Sequence, residues 1–302
     1  MTTVVVPFAG SEGKTRLDAP RSVRKEISLA MLWDVLAAVD AAGPDVDVLV
    51  TPNEGVDLDL YPALRLIANY GVGYDRIDLD ACRARGVAVT NTPGVLDAAT
   101  ADLAVALMLA ARRGLVAGDR LVRAGAWASH WSAPQVLARE VSGATLGIVG
   151  LGRIGSAVAR RARGFDMEIR HVRRSEGDLD ELLRASDVVS LHVPLTTETA
   201  GLITRERLAL LRDGATLINT ARGGVVDEDA LVDELVSGRI TAGLDVFAHE
   251  PSVPPALFGL PNVVLTPHIA SATVETRGAM TRVVVDNVLA FARGEPLPTP
   301  VL

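Results

Sequence analysis

Residues 146–174 read LGIVGLGRIGSAVARRARGFDMEIRHVRR, and this stretch decides the fold. A β-branched run enters the glycine-rich turn at 150–155. An alanine-rich helical segment follows at 156–163, and a second strand is predicted at 167–172. Strand, tight turn, helix and strand in this order are the context in which G-x-G-x-x-G indicates dinucleotide binding. Gly164 stands where a helix C-cap is expected.

The glycines of this turn have separate expected roles. Gly150 makes the tight turn, Gly152 lets the backbone approach a pyrophosphate, and Gly155 lets the helix pack closely on the strand. The turn also contains Arg153 and Ile154, where the start of the helix offers unpaired N–H groups and a positive dipole end to phosphates. We therefore expect a dinucleotide site here.

Short strands alternate with helical segments on both sides of this unit. Strands are predicted at 3–6, 46–50, 64–68, 87–90, 187–193, 215–219, 241–245 and 263–266, and helices at 26–39, 97–113, 228–237 and 271–292. This alternation predicts an α/β protein with two doubly wound parallel-sheet domains. We expect a Rossmann dinucleotide-binding domain at 97–273 and a flavodoxin-like substrate domain formed by both chain ends, 1–96 and 274–302.

Composition narrows the class of protein. A length of 302 residues suits two domains, and a net charge of −7 argues against a nucleic-acid or anionic-membrane partner. The longest apolar run, 103–111, is too short to span a bilayer, and the N-terminus does not resemble a signal peptide. The single cysteine, Cys82, excludes a disulfide framework and favours a reducing compartment. The expectation is a soluble, cytoplasmic protein without a metal site.

Four polar residues follow predicted strands, where ligands bind in doubly wound sheets: Arg222, Asp245, Glu250 and His268. Carbonyl reduction needs a cation for a carboxylate, an acid for the new alkoxide, and a group that orients the acid. The arginine fork suits the first task, the imidazole suits the second near neutral pH, and Glu250 suits the third. Alternative interpretations are a surface ion pair for Arg222 and ordinary loop residues for Glu250 and His268.

Further motifs along the chain resemble those of a known protein family. In chain order they are GVGYDRID (71–78), NTP (91–93), GIVGLGRIG (147–155), PLT (194–196), NTARG (219–223), LDVF (244–247), EP (250–251) and TPHIA (266–270). Over nearly its whole length the chain resembles the D-isomer-specific 2-hydroxyacid dehydrogenase family.

The resemblance implies roles for individual residues. Arg222 would bind substrate, Glu250 would orient the histidine, and His268 would be the acid/base and contact substrate. Backbone N–H groups of Val72 and Gly73 would hold the substrate carboxylate. Asp245 would contact the nicotinamide carboxamide, and other residues would line the cofactor: Val193, Pro194, Thr220, Ala221 and Ala270. The family's usual dimer would form through about 115–142.

The sequence departs from the family pattern at one place that affects the choice of cofactor. Where NAD-dependent relatives have an acid for the ribose 2′-hydroxyl, this chain has Arg173, followed by Arg174 and Ser175. Arginine suits a 2′-phosphate, so NADPH is expected to be preferred, with NADH possible.

The expected activity is reduction of a small 2-oxo acid of the glyoxylate or hydroxypyruvate type to the D-2-hydroxy acid. A phosphoglycerate or phosphite dehydrogenase-type relative is an alternative, although phosphite dehydrogenases place a lysine where Val72 stands. A different class is a dinucleotide-sensing corepressor. Such proteins tend to have added disordered tails, which we do not expect here.

Overall fold

The computed structural model describes residues 4–5, 47–127, 137–174 and 176–302. The described chain divides into two compact units, Met1–Leu96 with Ser271–Leu302, and Asp97–Ala270. Each unit is built on its own parallel sheet. The α/β prediction with two parallel-sheet domains is therefore confirmed. The predicted helix at 26–39 lies outside the described residues.

The described residues of the first unit form a four-stranded parallel sheet with two helices. Its strands are β1 (Val4–Val5), β2 (Val48–Thr51), β3 (Leu66–Asn69) and β4 (Ala88–Thr90), paired in that order. Its helices are α1 (Leu79–Arg85) and, from the end of the chain, α8 (Val274–Arg293). Each helix begins at a side chain that accepts a backbone N–H, Asp78 or Thr273, and ends at a left-handed glycine. A 3-10 turn covers Leu58–Leu60.

The second unit contains a six-stranded parallel sheet. Its strands are β5 (Thr145–Val149), β6 (Glu168–Val172), β7 (Val188–Leu191), β8 (Thr216–Asn219), β9 (Thr241–Leu244) and β10 (Val263–Leu265). They lie in the order β10-β9-β8-β7-β5-β6. Because β6 and β7 flank β5, the order reverses there, and the carboxyl ends of β5 and β7 form the switch point at which such sheets bind ligands.

The described residues of the second unit form six helices. They are α2 (Asp97–Arg112), α3 (Leu115–Arg123), α4 (Arg153–Ala162), α5 (Leu179–Ala185), α6 (Arg205–Ala209) and α7 (Glu228–Val236). Further 3-10 turns cover Arg163–Phe165, Gly223–Val225 and Pro255–Leu257. Adjacent residues of β8 enter different cores: Leu217 packs with residues of α5, α6 and α7, and Ile218 with residues of α2 and α4. Alternate side chains of the sheet are therefore covered by different helices.

The structure corrects one predicted helix end. The chain leaves α4 through the 3-10 turn Arg163–Phe165, and the left-handed residue that closes this turn is Asp166, with φ of 56°. The prediction of Gly164 as the C-cap is therefore wrong. The 3-10 turn extends the helical segment, so the left-handed residue comes two positions later in the chain. Aspartate is among the residues that tolerate this conformation.

No helix among the described residues has both the length and the apolar composition needed to cross a membrane.

The contact between the glycine turn and α4 gives a stability prediction. A Cβ on Gly155 would lie 2.2 Å from the backbone oxygen of Gly150, whereas a Cβ on Gly164 would meet nothing within 4 Å. We expect Gly155→Ala to lower the free energy of unfolding by about 1–3 kcal/mol, the usual cost of overpacking. Gly164→Ala, the matched control, should leave it nearly unchanged. Thermal unfolding of both variants tests this, and equal midpoints would show that α4 does not need the glycine.

Candidate active site

The glycine turn joins β5 to α4 at the switch point. Gly150 has φ of 94°, and its N–H donates to the Val172 carbonyl at 3.0 Å. A Cβ there would lie 2.6 Å from the His192 oxygen and 2.8 Å from a methyl of Val193. The turn therefore lies against the end of β7, beside the predicted cofactor residues Val193 and Pro194. Burial lowers the pKa of His192 to about 4, so this histidine adds no charge near neutral pH.

Several features of this edge fit a dinucleotide. A Cβ on Gly152 would meet no atom within 4 Å, so the backbone there is open to a phosphate. No side chain caps the first turn of α4, which contains Arg153 and Ile154. Thr220 Oγ1 is buried without a hydrogen-bond partner among the described residues, and a polar atom of a bound nucleotide would satisfy it. The residues present therefore fit the cofactor that the sequence predicts.

The segment after β8 positions Arg222. Asn219 is buried at the end of the strand. Its Oδ1 accepts the Ala221 N–H at 3.0 Å, and its Nδ2 donates to the Arg222 carbonyl at 2.9 Å. Sequence reasoning missed this role for Asn219, although a polar residue at the end of an apolar strand was the available signal. The turn is further fixed because Gly223 packs directly on the backbone of Phe247.

A buried carboxylate fixes the segment that contains His268. Asp245 has no exposed surface. It accepts hydrogen bonds from Thr266 Oγ1 at 2.6 Å, from the Ile269 N–H at 2.8 Å and from the Ala270 N–H at 2.9 Å. Burial raises the pKa of Asp245, and these hydrogen bonds and the charge of His268 only partly offset the rise. The sequence did not predict this anchoring; the contact of Asp245 with a nicotinamide carboxamide stays a prediction.

The structure brings Glu250 and His268 together. Oε2 of Glu250 lies 2.7 Å from Nδ1 of His268, and Oε1 accepts the Phe247 N–H at 3.0 Å. Burial raises the pKa of Glu250, but the hydrogen bonds from His268 and Phe247 and the charges of His268 and Arg222 outweigh it, so the pKa lies below its ordinary value. Glu250 is therefore a carboxylate at neutral pH that holds Nδ1 of the imidazole, and Nε2 is left for another partner.

The two arginines after β6 differ in their contacts. Arg174 Nη2 pairs with Glu198 Oε1 at 2.7 Å. Arg173 is exposed, directly follows Val172, and has no side-chain partner among the described residues. Since Val172 accepts the Gly150 N–H, Arg173 lies one residue from the strand end that contacts the glycine turn. Ser175 lies outside the described residues.

The other predicted positions belong to different places in the fold. Val72 and Gly73 are in the first unit, in the loop between β3 and α1. The predicted dimer segment includes α3 and, in part, residues outside the described ranges. Within those ranges, no three His, Cys, Asp or Glu side chains form a group that could hold a metal ion.

Comparison with known proteins identifies similar chains. The model of the NAD-binding domain of D-isomer-specific 2-hydroxyacid dehydrogenases matches residues 105–270. A glyoxylate reductase of Pyrococcus horikoshii is 50% identical over an alignment of 275 residues, and the match covers 84% of this chain and 82% of the relative. A hydroxyphenylpyruvate reductase of Plectranthus scutellarioides is 46% identical over an alignment of 268 residues. That match covers 84% of this chain and 85% of the relative.

A solved structure extends this comparison to both units. The NADPH-dependent glyoxylate/hydroxypyruvate reductase of Sinorhizobium meliloti, in complex with NADP and malonate, superposes with a TM-score of 0.82. It is 36% identical in sequence, and the match covers 99% of this chain and 96% of that one.

The contact between Glu250 and His268 gives a titration prediction. In His268→Ala the half-buried carboxylate loses a hydrogen bond and a cationic neighbour, so the pKa of Glu250 should rise above its value in the unsubstituted protein. In the unsubstituted protein the lowered pKa stabilises the fold above the ordinary glutamate pKa, and this contribution is lost as the pH falls through the lowered value. Carboxyl carbon shifts in an NMR titration report the pKa directly.

His249→Ala is the matched control, because this exposed histidine is in the same loop. It should leave the pKa of Glu250 low. A low value in both variants would mean that His268 does not stabilise the Glu250 carboxylate.

Proposed function

Because the chain belongs to the D-isomer-specific 2-hydroxyacid dehydrogenase family, we propose that it reduces small 2-oxo acids of the glyoxylate and hydroxypyruvate type to D-2-hydroxy acids. It is an NAD(P)-dependent oxidoreductase and a 2-oxo acid reductase. The finer substrate assignment follows the reductases of Pyrococcus and Sinorhizobium. We propose the domain roles as well: residues 97–273 bind the cofactor, and residues 1–96 with 274–302 bind substrate.

The observation behind this proposal is the 2.7 Å contact between Glu250 and His268. Reduction of a carbonyl leaves charge on oxygen, and a positioned acid removes it. Glu250 holds Nδ1 and so orients the imidazole, whose Nε2 can donate a proton to the substrate oxygen. In the reverse direction the same nitrogen accepts the proton. A dinucleotide-sensing scaffold has no need of such an arrangement.

The carboxylate of the substrate is assigned to two groups. The guanidinium of Arg222 offers two parallel N–H donors, which match the geometry of a carboxylate. The backbone N–H groups of Val72 and Gly73 provide additional donors. Donors held at fixed positions orient the 2-oxo group for reaction, since binding at fixed geometry removes much of the entropy cost.

The nicotinamide cofactor, when bound, supplies the hydride. The chain's part is to hold it, through the start of α4 and the segments after β7, β8 and β9. The proposed contacts are Gly150, Gly152, Arg153, Ile154, Gly155, Val193, Pro194, Thr220, Ala221, Asp245 and Ala270. Arg153 is itself held by Asp97, 3.3 Å away.

We assign NADPH as the preferred cofactor on the basis of Arg173. Arginine offers no acceptor to a 2′-hydroxyl and attracts a 2′-phosphate. Arg174 and Ser175 are secondary contacts, since Arg174 is already paired with Glu198.

The proposed oligomer is a homodimer through about 115–142. Helix α3 buries none of its residues, and Leu115, Val122 and Trp127 are each more than half exposed. Such an apolar surface is typical of a contact with another chain. We place the enzyme in the cytoplasm, where a lone cysteine such as Cys82 stays a thiol.

The function is tested by a panel of 2-oxo acids and by removal of the proton donor. NADPH oxidation should be fastest with small acids such as glyoxylate and hydroxypyruvate; hydroxyphenylpyruvate tests a bulky alternative. His268→Ala should lower kcat by roughly 10²–10⁴-fold, the usual effect of a positioned acid, with the Kd of NADPH nearly unchanged. His171→Ala removes an exposed histidine of β6 and is the control. Full turnover in His268→Ala would remove this residue from the mechanism.

Cofactor choice is tested by reversing the charge at Arg173. Arg173→Asp should lower kcat/KM for NADPH and raise it for NADH, because the carboxylate repels a 2′-phosphate and accepts from a 2′-hydroxyl. The change in preference should be about tenfold or more, the effect of one charge-assisted hydrogen bond. High salt should reduce the preference of the unsubstituted enzyme.

Arg174→Asp is the comparison variant at the neighbouring position. Its effect should be smaller, since Glu198 already neutralises Arg174. If the unsubstituted enzyme prefers NADH, or if Arg174→Asp causes the larger loss, the assignment to Arg173 is wrong.

A further inference from the structure

The loop between β3 and α1 has its carbonyl groups turned toward the side-chain amides of two asparagines, of which Asn69 is buried and Asn91 is partly buried. Asn69 Nδ2 donates to the carbonyl of Gly71 at 3.0 Å and to that of Gly73 at 2.7 Å. Asn91 Nδ2 donates to the carbonyl of Val72 at 2.9 Å. Three successive carbonyl oxygens are thus occupied by two asparagine side chains.

The geometry of a trans peptide gives these contacts a consequence. The C=O and N–H of one peptide group point in opposite directions. Because Asn69 holds the Gly71 carbonyl, the Val72 N–H of the same peptide group points away from the Asn69 side chain. By holding the Val72 carbonyl, Asn91 does the same for the N–H of Gly73. Neither N–H has an acceptor among the described residues.

Two adjacent N–H groups with their carbonyls turned away form a concave site suited to an anion. We propose that Asn69 and Asn91 are positioning residues that aim the N–H groups of Val72 and Gly73 at the substrate carboxylate. This inference rests on the proposed function, since it takes the substrate to be a 2-oxo acid.

The amide of Asn69 and the backbone of Asn91 are themselves held in place. Asn69 is completely buried, and its Oδ1 accepts the Asn53 N–H at 2.8 Å, so its NH₂ must face the loop. The backbone of Asn91 is held by Thr299, whose Oγ1 donates to the Asn91 carbonyl at 2.6 Å. Thr299 in turn receives a hydrogen bond from Asn287 Nδ2 at 2.9 Å. Rigid amides are needed for this role, because a mobile amide would not define the peptide plane.

Asn91 offers the sharper test. The Gly71 carbonyl also accepts the Thr92 N–H at 3.0 Å, so loss of Asn69 is partly compensated. The Val72 carbonyl accepts only from Asn91 within the described chain. Without that donor the peptide between Val72 and Gly73 can rotate, and its oxygen would then repel a carboxylate.

The experiment measures carboxylate binding separately from cofactor binding. In Asn91→Ala the KM for glyoxylate should rise about tenfold, the effect of one hydrogen bond to a charged group. The Kd of oxamate, an unreactive carboxylate analogue, should rise by the same factor in the NADPH-bound enzyme. The Kd of NADPH should not change, and kcat should change less than KM. A loss of stability alone would leave the oxamate Kd of the folded fraction unaltered.

Asn262→Ala is the matched control, because Asn262 Nδ2 also donates to two carbonyls, those of Leu235 and Ile240, in the other unit. It should alter neither KM nor the oxamate Kd. If Asn91→Ala does not fold, Asn91→Leu keeps the side-chain size and still removes the donor. Unchanged KM and oxamate affinity in a folded Asn91 variant overturn the inference. Failure of the unsubstituted enzyme to reduce any 2-oxo acid overturns the proposed function instead.

Discussion

The buried carboxylate of Asp245 is the constraint on which the site in the second unit depends. A charge without exposed surface is costly unless it is hydrogen-bonded, and all of its donors come from the segment 266–270. That segment therefore cannot move away from Asp245 without leaving the carboxylate without hydrogen bonds. It contains His268, whose φ of 53° is left-handed and costs about 1–2 kcal/mol. The Asp245 hydrogen bonds hold the histidine in this conformation.

The same arrangement recurs at the ends of other strands. Asn69 ends β3 and Asn219 ends β8, and each is buried with its amide bonded to the loop that follows. In each case a side chain from the rigid sheet satisfies backbone groups of a segment that would otherwise be free to change conformation. The sheet thus determines the shape of its loops, which explains why the candidate functional residues follow strands in both units.

Much of the fold and the site could be predicted from the sequence, because both depend on local patterns. Alternating apolar strands and helical segments indicated parallel sheets, and the glycine spacing located the switch point. The contact between Glu250 and His268 followed from the chemistry that the two residues share. Asn219 and the anchoring by Asp245 could not be predicted this way, since their roles depend on which backbone groups the folded chain brings within hydrogen-bonding distance. The end of α4 was wrong for a related reason: glycine is the commonest residue for such a turn, but Asp166 adopts it here.

The side chains around His268 and those beneath the loop of Val72 and Gly73 differ in charge. In the proposed mechanism His268 is the acid, and the acidic side chains of Asp245 and Glu250 lie on the segments that position it. The charge of His268 in turn lowers the pKa of each of these carboxyl groups. The loop containing Val72 and Gly73 has the opposite requirement, because the proposed ligand is an anion. A carboxylate at Asn69 or Asn91 would accept where donors are needed and would repel the ligand. Neutral amides can fix the peptide planes without either effect, so the proposed anionic ligand favours asparagine over aspartate at positions 69 and 91.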